Sequence, residues 1–167
     1  VRSEDNYALR WSARNGHVHV LQFLVNLGLT MEDARTVDNC AFGWAASAGH
    51  VHILQFLVNF GSTIEDVRSE NNYALRRAAE NGHVHVLQFL IDLGLTIEDA
   101  RDNNNYALRR AAANGHINVL RFLVALRLNV DDARYYDCYA LRCAAENGHV
   151  NVLQFLIDLG LTAEDAR

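Results

Sequence analysis

Apolar residues recur along the chain at the spacing of short amphipathic helices. In the segment 73–94, one stripe follows the i, i+3, i+4 spacing of a helix face and consists of Leu75, Ala78 and Ala79. A second stripe consists of Val86, Leu87, Leu90 and Ile91. Gly82 follows the first stripe and Gly94 the second, and glycine readily ends a helix because it adopts the left-handed conformation without a Cβ penalty. The pattern predicts two helices of about 8–10 residues, each too short to persist alone in water.

This pair of stripes repeats five times with a period of 33 residues. The period is marked by glycines at Gly16, Gly49, Gly82, Gly115 and Gly148, each followed by a histidine at His17, His50, His83, His116 and His149. The letters NGHVHVLQFL are identical at residues 15–24 and 81–90. Units of this kind stack so that neighbours bury a continuous core. We therefore expect one solenoid over residues 1–167, a segment of a longer array, with units at about 4–36, 37–69, 70–102, 103–135 and 136–167.

The connectors between the helix pairs carry a helix-start signal. Thr63, Thr96 and Thr162 each stand three residues before an aspartate, as in a capping box. We predict a short helical turn around Glu65–Arg68 and its equivalents, followed by a tight turn at the Asn-Asn pair. An extended finger or β-hairpin is the alternative. The fourth unit has Arg127 where the others have glycine, so we expect an altered or looser helix end there.

The 33-residue period with two short helices resembles the ankyrin repeat. The segment Ala74–Gly94, ALRRAAENGHVHVLQFLIDLG, is similar to the two-helix core of that family. Tyr73–Arg76 replaces its usual Thr-Pro-Leu-His opening, and Gly94–Thr96 replaces its Gly-Ala-Asp loop. The style NNYALR…NGH is similar to the long ankyrin arrays of giant viruses and amoebal organisms. The resemblance implies an all-α, right-handed stack of L-shaped units with short helical or finger-like connectors. It also implies protein binding through the first helices and the connector tips.

Composition narrows the possible functions. Half of the 167 residues are apolar and about a fifth are charged, which is typical of a folded chain. A net charge of −5 argues against nucleic-acid binding. The sequence has no long uncharged apolar stretch, so it predicts no membrane span. Cys40, Cys138 and Cys143 lack CxxC spacing, and we expect them to be reduced in an intracellular, cytoplasmic protein (in the host cytoplasm if the viral likeness holds).

The histidines and carboxylates occupy repeat positions, so they call for structural explanations. The histidine after each glycine is expected to cap the turn and to bond neighbouring backbone. His83 and His85 do not share a helix face, so they are poor ligands for one metal ion. His19, His52 and His85 occupy equivalent positions in different repeats and would lie too far apart to bind one ion. The recurring Glu-Asp pairs suit a helix start. No nucleophile–base–orienter set is visible. We expect no catalytic residue, no metal site and no cofactor.

Positions at which the repeats disagree are the candidate binding residues. The third residue after the alanine that opens the first helix reads Trp11, Trp44, Arg77, Arg110 and Cys143, and we expect it to face solvent. The remaining candidates are Arg14, Val37, Tyr135 and Tyr136. Tryptophan, tyrosine and arginine are the residue types that anchor interfaces. We interpret the set as a partner-binding strip. A row of equivalent arginines along the same helices, which we call the positive ladder, would favour an acidic protein surface; its members are Arg10, Arg76, Arg109 and Arg142. The alternative is drift at solvated positions, with the tryptophans partly packed on neighbouring repeats.

A second apolar stripe lies on the outer helices. Its members are Phe23/Leu27, Phe56/Phe60, Phe89/Leu93, Phe122/Leu126 and Phe155/Leu159. The connectors are expected to cover this stripe through Met31, Ile64, Ile97, Val130 and Ala163; a lateral contact between chains is the alternative. Self-association into a filament or oligomer, by such contacts or by end-to-end stacking, is the rival function.

Overall fold

The computed structural model describes residues 7–162 and 164–165, without the side chains of residues 36–40. These residues form helices joined by short turns and contain no β-strand. The ten helices are α1 (Tyr7–Arg14), α2 (Val18–Asn26), α3 (Met31–Ser47), α4 (Val51–Phe60), α5 (Ile64–Glu80), α6 (Val84–Asp92), α7 (Ile97–Ala113), α8 (Ile117–Ala125), α9 (Val130–Glu146) and α10 (Val150–Asp158). The all-α prediction is therefore confirmed for the described residues.

Each repeat pairs a first helix with a short second helix across a Gly-His turn. The first helices are α1 and the C-terminal halves of α3, α5, α7 and α9, and the second helices are the even-numbered ones. In the third repeat Gly82 has φ +80°, and the backbone N–H of His83 donates to the carbonyl of Ala78 at 2.9 Å. The N–H of Gly82 donates to the carbonyl of Ala79. These two bonds satisfy carbonyls at the helix end and reverse the chain, as the sequence predicted.

One continuous apolar core joins the repeats. The double alanine lets neighbouring first helices approach closely, and Ala78 and Ala79 are fully buried between them. Leu75, Leu87 and Leu90 fill the space between the helices of one repeat and those of its neighbours. Consecutive repeats touch mainly through their first helices. The stacking holds together helices that are too short to be stable alone.

The connectors contain the short helical turn that the sequence predicted, and the β-hairpin alternative is wrong. In α5 the helix starts at Ile64 and leaves helical geometry at Ser69 (φ −54°, ψ 155°) before the first helix begins. The three residues after this break all have positive φ; they are Glu70–Asn72, with Asn103–Asn105 and Tyr136–Cys138 in the next two repeats. Left-handed geometry is costly for L residues but less so for asparagine, which fills five of these nine positions.

In the connectors of α5, α7 and α9, one aspartate fastens both its own helix and the preceding repeat. The backbone N–H of Thr63 donates to Asp66 Oδ2 at 2.7 Å, and Thr63 Oγ1 accepts from the N–H of Asp66, which completes a capping box. Asp66 also accepts two hydrogen bonds of 2.9 Å from Arg35. Burial opposes ionisation of Asp66, but the bonds from Arg35 and Thr63 outweigh it and hold the pKa of this carboxyl below its ordinary value. The same ion pair recurs as Arg68–Asp99, Arg101–Asp132 and Arg134–Asp165.

The expected disturbance at Arg127 is absent, so that prediction was wrong. Arg127 adopts φ +79°, and its N–H donates to the carbonyl of Val124 at 2.9 Å. Gly28, at the same point of the first repeat, makes the same bond at 2.9 Å. The chain therefore keeps the common helix end and places an arginine in a conformation that favours glycine.

The apolar stripe on the second helices is largely covered. Phe56, Phe89, Phe122 and Phe155 are partly buried and pack against the core. The connector residues Met31, Ile64, Ile97 and Val130 pack against the same core, in agreement with the expected cover. Ala163 lies outside the described residues. Phe23 and Leu27, in the first repeat, remain exposed.

Candidate partner-binding face

The five first helices line up side by side and form a surface that we call the first-helix face. It comprises residues 7–14, 41–47, 73–80, 106–113 and 139–146. Its charged residues are seven arginines and two glutamates: Arg10, Arg14, Arg76, Arg77, Arg109, Arg110, Arg142, Glu80 and Glu146. The whole chain carries a formal charge of −5, so positive charge is concentrated on this face.

Aromatic side chains and arginines meet at the N-terminal end of the face. Trp11 is 46% exposed, and Trp44 from the next repeat is partly buried. The Arg14 guanidinium lies 5.0 Å from the ring centroid of Trp11 and 4.6 Å from that of Trp44. Arg10 lies 5.0 Å from the ring centroid of Tyr7. The five side chains line a cleft of about 90 Å³, which we call the aromatic cleft. The structure thus brings together three of the predicted binding residues.

The two arginines at the centre of the face are not freely exposed. Arg77 and Arg110 are partly buried and converge on Glu80, which is only 7% exposed. Arg110 Nε donates to Glu80 Oε1 at 2.9 Å. Burial opposes ionisation of Glu80, but the hydrogen bond from Arg110 and the charge of Arg77 outweigh it and keep the pKa of Glu80 low. The expectation that both arginines face solvent is met only in part, because a buried carboxylate holds them.

Two members of the positive ladder also have structural partners. Arg76 donates to the carbonyls of Asn71 and Glu70, at 2.8 and 2.9 Å, and so closes the left-handed turn of its own connector. Its guanidinium lies 5.0 Å from the ring centroid of Tyr106 in the next repeat. Arg109 makes the equivalent bonds to Asn104 and Asn103 and lies over Tyr139. Their donors are directed at the protein itself.

The last described repeat has exposed tyrosines at its connector tip and a buried cysteine on the first-helix face. Tyr135 and Tyr136 are exposed as expected; Tyr135 Oη lies 3.1 Å from Asn104 Oδ1, and the ring of Tyr136 lies over Arg109. Cys143 was expected to face solvent, but it is only 8% exposed. Its side chain is much shorter than a tryptophan or an arginine at the same position, so neighbouring side chains cover it. The side chain of Val37 lies outside the described residues.

Comparison with protein families agrees with this geometry. A family model described as ankyrin repeats (3 copies) matches residues 9–101 and 75–165. The chain belongs to the ankyrin-repeat family. Ankyrin repeats are generally protein–protein interaction modules and typically non-enzymatic. No curated protein matches the chain significantly. None of the described helices is both long and apolar enough to span a membrane.

The histidines of the ankyrin turns join adjacent repeats. His83 Nε2 lies 3.0 Å from the carbonyl oxygen of Ser47, and His149 Nε2 lies 3.0 Å from that of Ala113, both in the preceding repeat. The expected bond to neighbouring backbone is confirmed, whereas the side chains make no capping bond to their own helices. Burial and the adjacent His52 ring lower the pKa of His50. Among the described residues, no three His, Cys, Asp or Glu side chains converge as metal ligands.

Proposed function

We propose that this ankyrin array is a non-enzymatic scaffold that binds a partner protein along the first-helix face and the connector tips. The observation that carries the proposal is the segregation of charge, which places a positive face on an acidic chain. Such a face attracts an acidic partner and repels a basic one. We further propose that the array acts inside the cell, where the unpaired, buried thiols of Cys138 and Cys143 remain reduced.

The residue types exposed on this face and on the connector tips support the same proposal. Trp11, Tyr135 and Tyr136 are large aromatic side chains with much of their surface in water. Residues of these types dominate binding energy when a partner covers them. The stacked repeats hold them on a rigid support, so little ordering entropy is lost on association.

The test compares partner capture by the intact chain and by two variants. Trp11→Ala with Trp44→Ala should abolish capture from a cell extract, read by mass spectrometry, while the helical circular-dichroism signal stays unchanged. Phe23→Ala is the matched control, because Phe23 is an exposed aromatic residue on a second helix. Equal capture by all three proteins would refute the proposed face. Joint loss of capture and helical signal would mean that the tryptophans belong to the core, and Trp11→Ala alone then separates the two effects.

A further inference from the structure

The arginines of the aromatic cleft have open donors, unlike Arg76, Arg77, Arg109 and Arg110 on the same face. Among the described residues, no carboxylate pairs with Arg10 or Arg14, and no acceptor receives their guanidinium N–H groups. Arg14 is held instead between two indole rings, which contact its faces and leave its edge available. A guanidinium fixed in this way is prepared to bind a carboxylate with two parallel hydrogen bonds.

The cleft is encoded by departures from the repeat. Position 40 holds cysteine where the following repeats have a tyrosine, so the second repeat supplies no tyrosine ring to cover Arg10. Gly43 replaces the arginine of the ladder, and the Tyr73 ring packs so close to it that a Cβ atom there would overlap the ring. Arg14 stands where the other repeats have serine, alanine or glutamate. These substitutions explain why open donors and two tryptophans coincide at this site.

The size and chemistry of the cleft indicate what fits it. Its volume of about 90 Å³ is smaller than the roughly 150 Å³ cavity that takes up a benzene molecule. The rings of Tyr7, Trp11 and Trp44 supply apolar walls. An aliphatic side chain therefore suits the cleft better than an aromatic one. Arg10 and Arg14 lie one helical turn apart on α1, so they can bind two carboxylates that flank such a side chain.

We propose that the aromatic cleft is the anchor site for an acidic segment of the partner, in which carboxylates on both sides of an aliphatic residue bind Arg10 and Arg14. This inference rests on the proposed scaffold function and names the partner chemistry for it. Carboxylates are favoured over a phosphate group because Arg14 lies in the last turn of α1, where the helix dipole is negative and disfavours a dianion.

The test uses a random dodecapeptide library displayed on phage and selected against the intact chain. Trp11 and Trp44 are the only tryptophans in the sequence, so intrinsic fluorescence reports binding at the cleft alone. Selected peptides are expected to carry glutamate or aspartate around a leucine, isoleucine or valine and to change the tryptophan emission. Arg10→Gln with Arg14→Gln should weaken them at least about tenfold, since each charge-assisted hydrogen-bond pair is worth that much.

Arg121→Gln with Arg127→Gln is the matched control. It removes the same charge from exposed arginines of the fourth repeat that lie outside the first-helix face, and it should leave affinity within about twofold. Circular dichroism checks that both double variants are folded. Replacing the central aliphatic residue of a selected peptide by serine should also weaken binding about tenfold.

The possible outcomes separate this inference from the proposed function. Peptides that bind without changing tryptophan emission, or that bind both double variants equally, would overturn the anchor site and leave the scaffold function standing. Selection of no peptide at all would count against both. A phosphoserine version of a selected peptide that binds more than tenfold tighter than the glutamate version would assign the cleft to phosphate instead.

A second measurement needs no partner. Iodide is an anionic quencher of tryptophan fluorescence, and the open arginines should attract it to Trp11 and Trp44. Arg10→Gln with Arg14→Gln should lower iodide quenching and leave quenching by neutral acrylamide unchanged. Equal iodide quenching in the wild type and the variant would show that these arginines do not create a positive potential at the cleft.

Discussion

Replacing Arg127 by glycine should stabilise the protein, although it removes a side chain. Arg127 has φ +79°, in the left-handed region, where an L residue costs about 1–2 kcal/mol relative to glycine. Glycine offsets roughly 0.5–1 kcal/mol of this gain, because it increases the conformational entropy of the unfolded chain. The exposed Arg127 side chain makes no ion pair among the described residues, so little else is lost. We expect Arg127→Gly to raise the free energy of unfolding by about 0.5–1 kcal/mol.

Urea and thermal unfolding followed by circular dichroism measure this gain. In a chain of this size the melting temperature should rise by about 1–4 °C, and the urea midpoint should rise without a change in m-value. Gly28→Arg is the reverse substitution at a site with φ +94° and no heavy atom within 4 Å of the added Cβ. It should destabilise by a similar amount or more. A neutral or destabilising Arg127→Gly together with a neutral Gly28→Arg would refute the argument from left-handed geometry.

Three further substitutions test the contacts between and within repeats. Glu80→Gln should lower the free energy of unfolding by about 1–2 kcal/mol at pH 7, a modest value because the arginines that bind Glu80 are one-third exposed. Because the folded-state pKa of Glu80 is lowered, the difference between the two proteins in urea titrations should shrink as the pH falls below the unfolded value of about 4.3. In the same assay, Asp66→Ala should lower the free energy of unfolding by about 1 kcal/mol through loss of the capping bond, and further through loss of the ion pair with Arg35. Thr63→Ser is the control, because serine keeps the hydroxyl of the capping box. Cys138→Asn should raise the urea midpoint, because asparagine tolerates left-handed geometry better than cysteine. Asn105, the residue equivalent to Cys138 in the preceding repeat, also donates to a carbonyl of the next connector. A lower midpoint would contradict this prediction.

Features set by local sequence were predicted correctly. The helix pairs follow from the apolar stripes, the Gly-His turns from glycine, and the connector helices from the Thr–Asp spacing. Each of these depends on residues within a few positions of one another, for which general rules of helix formation suffice. At Arg127 the same local rule failed, because the adjacent Leu128 is buried in the core and Arg101 donates to the Arg127 carbonyl, and these contacts hold the helix end despite the unfavourable residue.

The ion pairs between repeats were missed because equivalent positions, 33 residues apart, were compared with each other. The contacts run at a different offset: Arg35 pairs with Asp66, 31 residues on, and Glu80 with Arg110, 30 residues on. The turn histidines reach back 36 residues, as His83 does to Ser47. A search for complementary charges at separations of 30 and 31 would have found these pairs. The burial of Cys143 had no such signal, since it depends on the length of the surrounding side chains.

The contacts between repeats also explain which arginines of the first-helix face remain available to bind a partner. The arginine ladder reads as four equivalent charges in the sequence, but Arg76 and Arg109 donate to their own connector turns and stack on the tyrosine of the next repeat. Arg10 differs from them because the next repeat lacks the matching tyrosine. Cysteine at position 40 creates that condition for Arg10, and the two tryptophans then hold Arg14 in an open position beside it. The residues that break the repeat therefore generate the site, because the residues that follow it are occupied in holding the stack together.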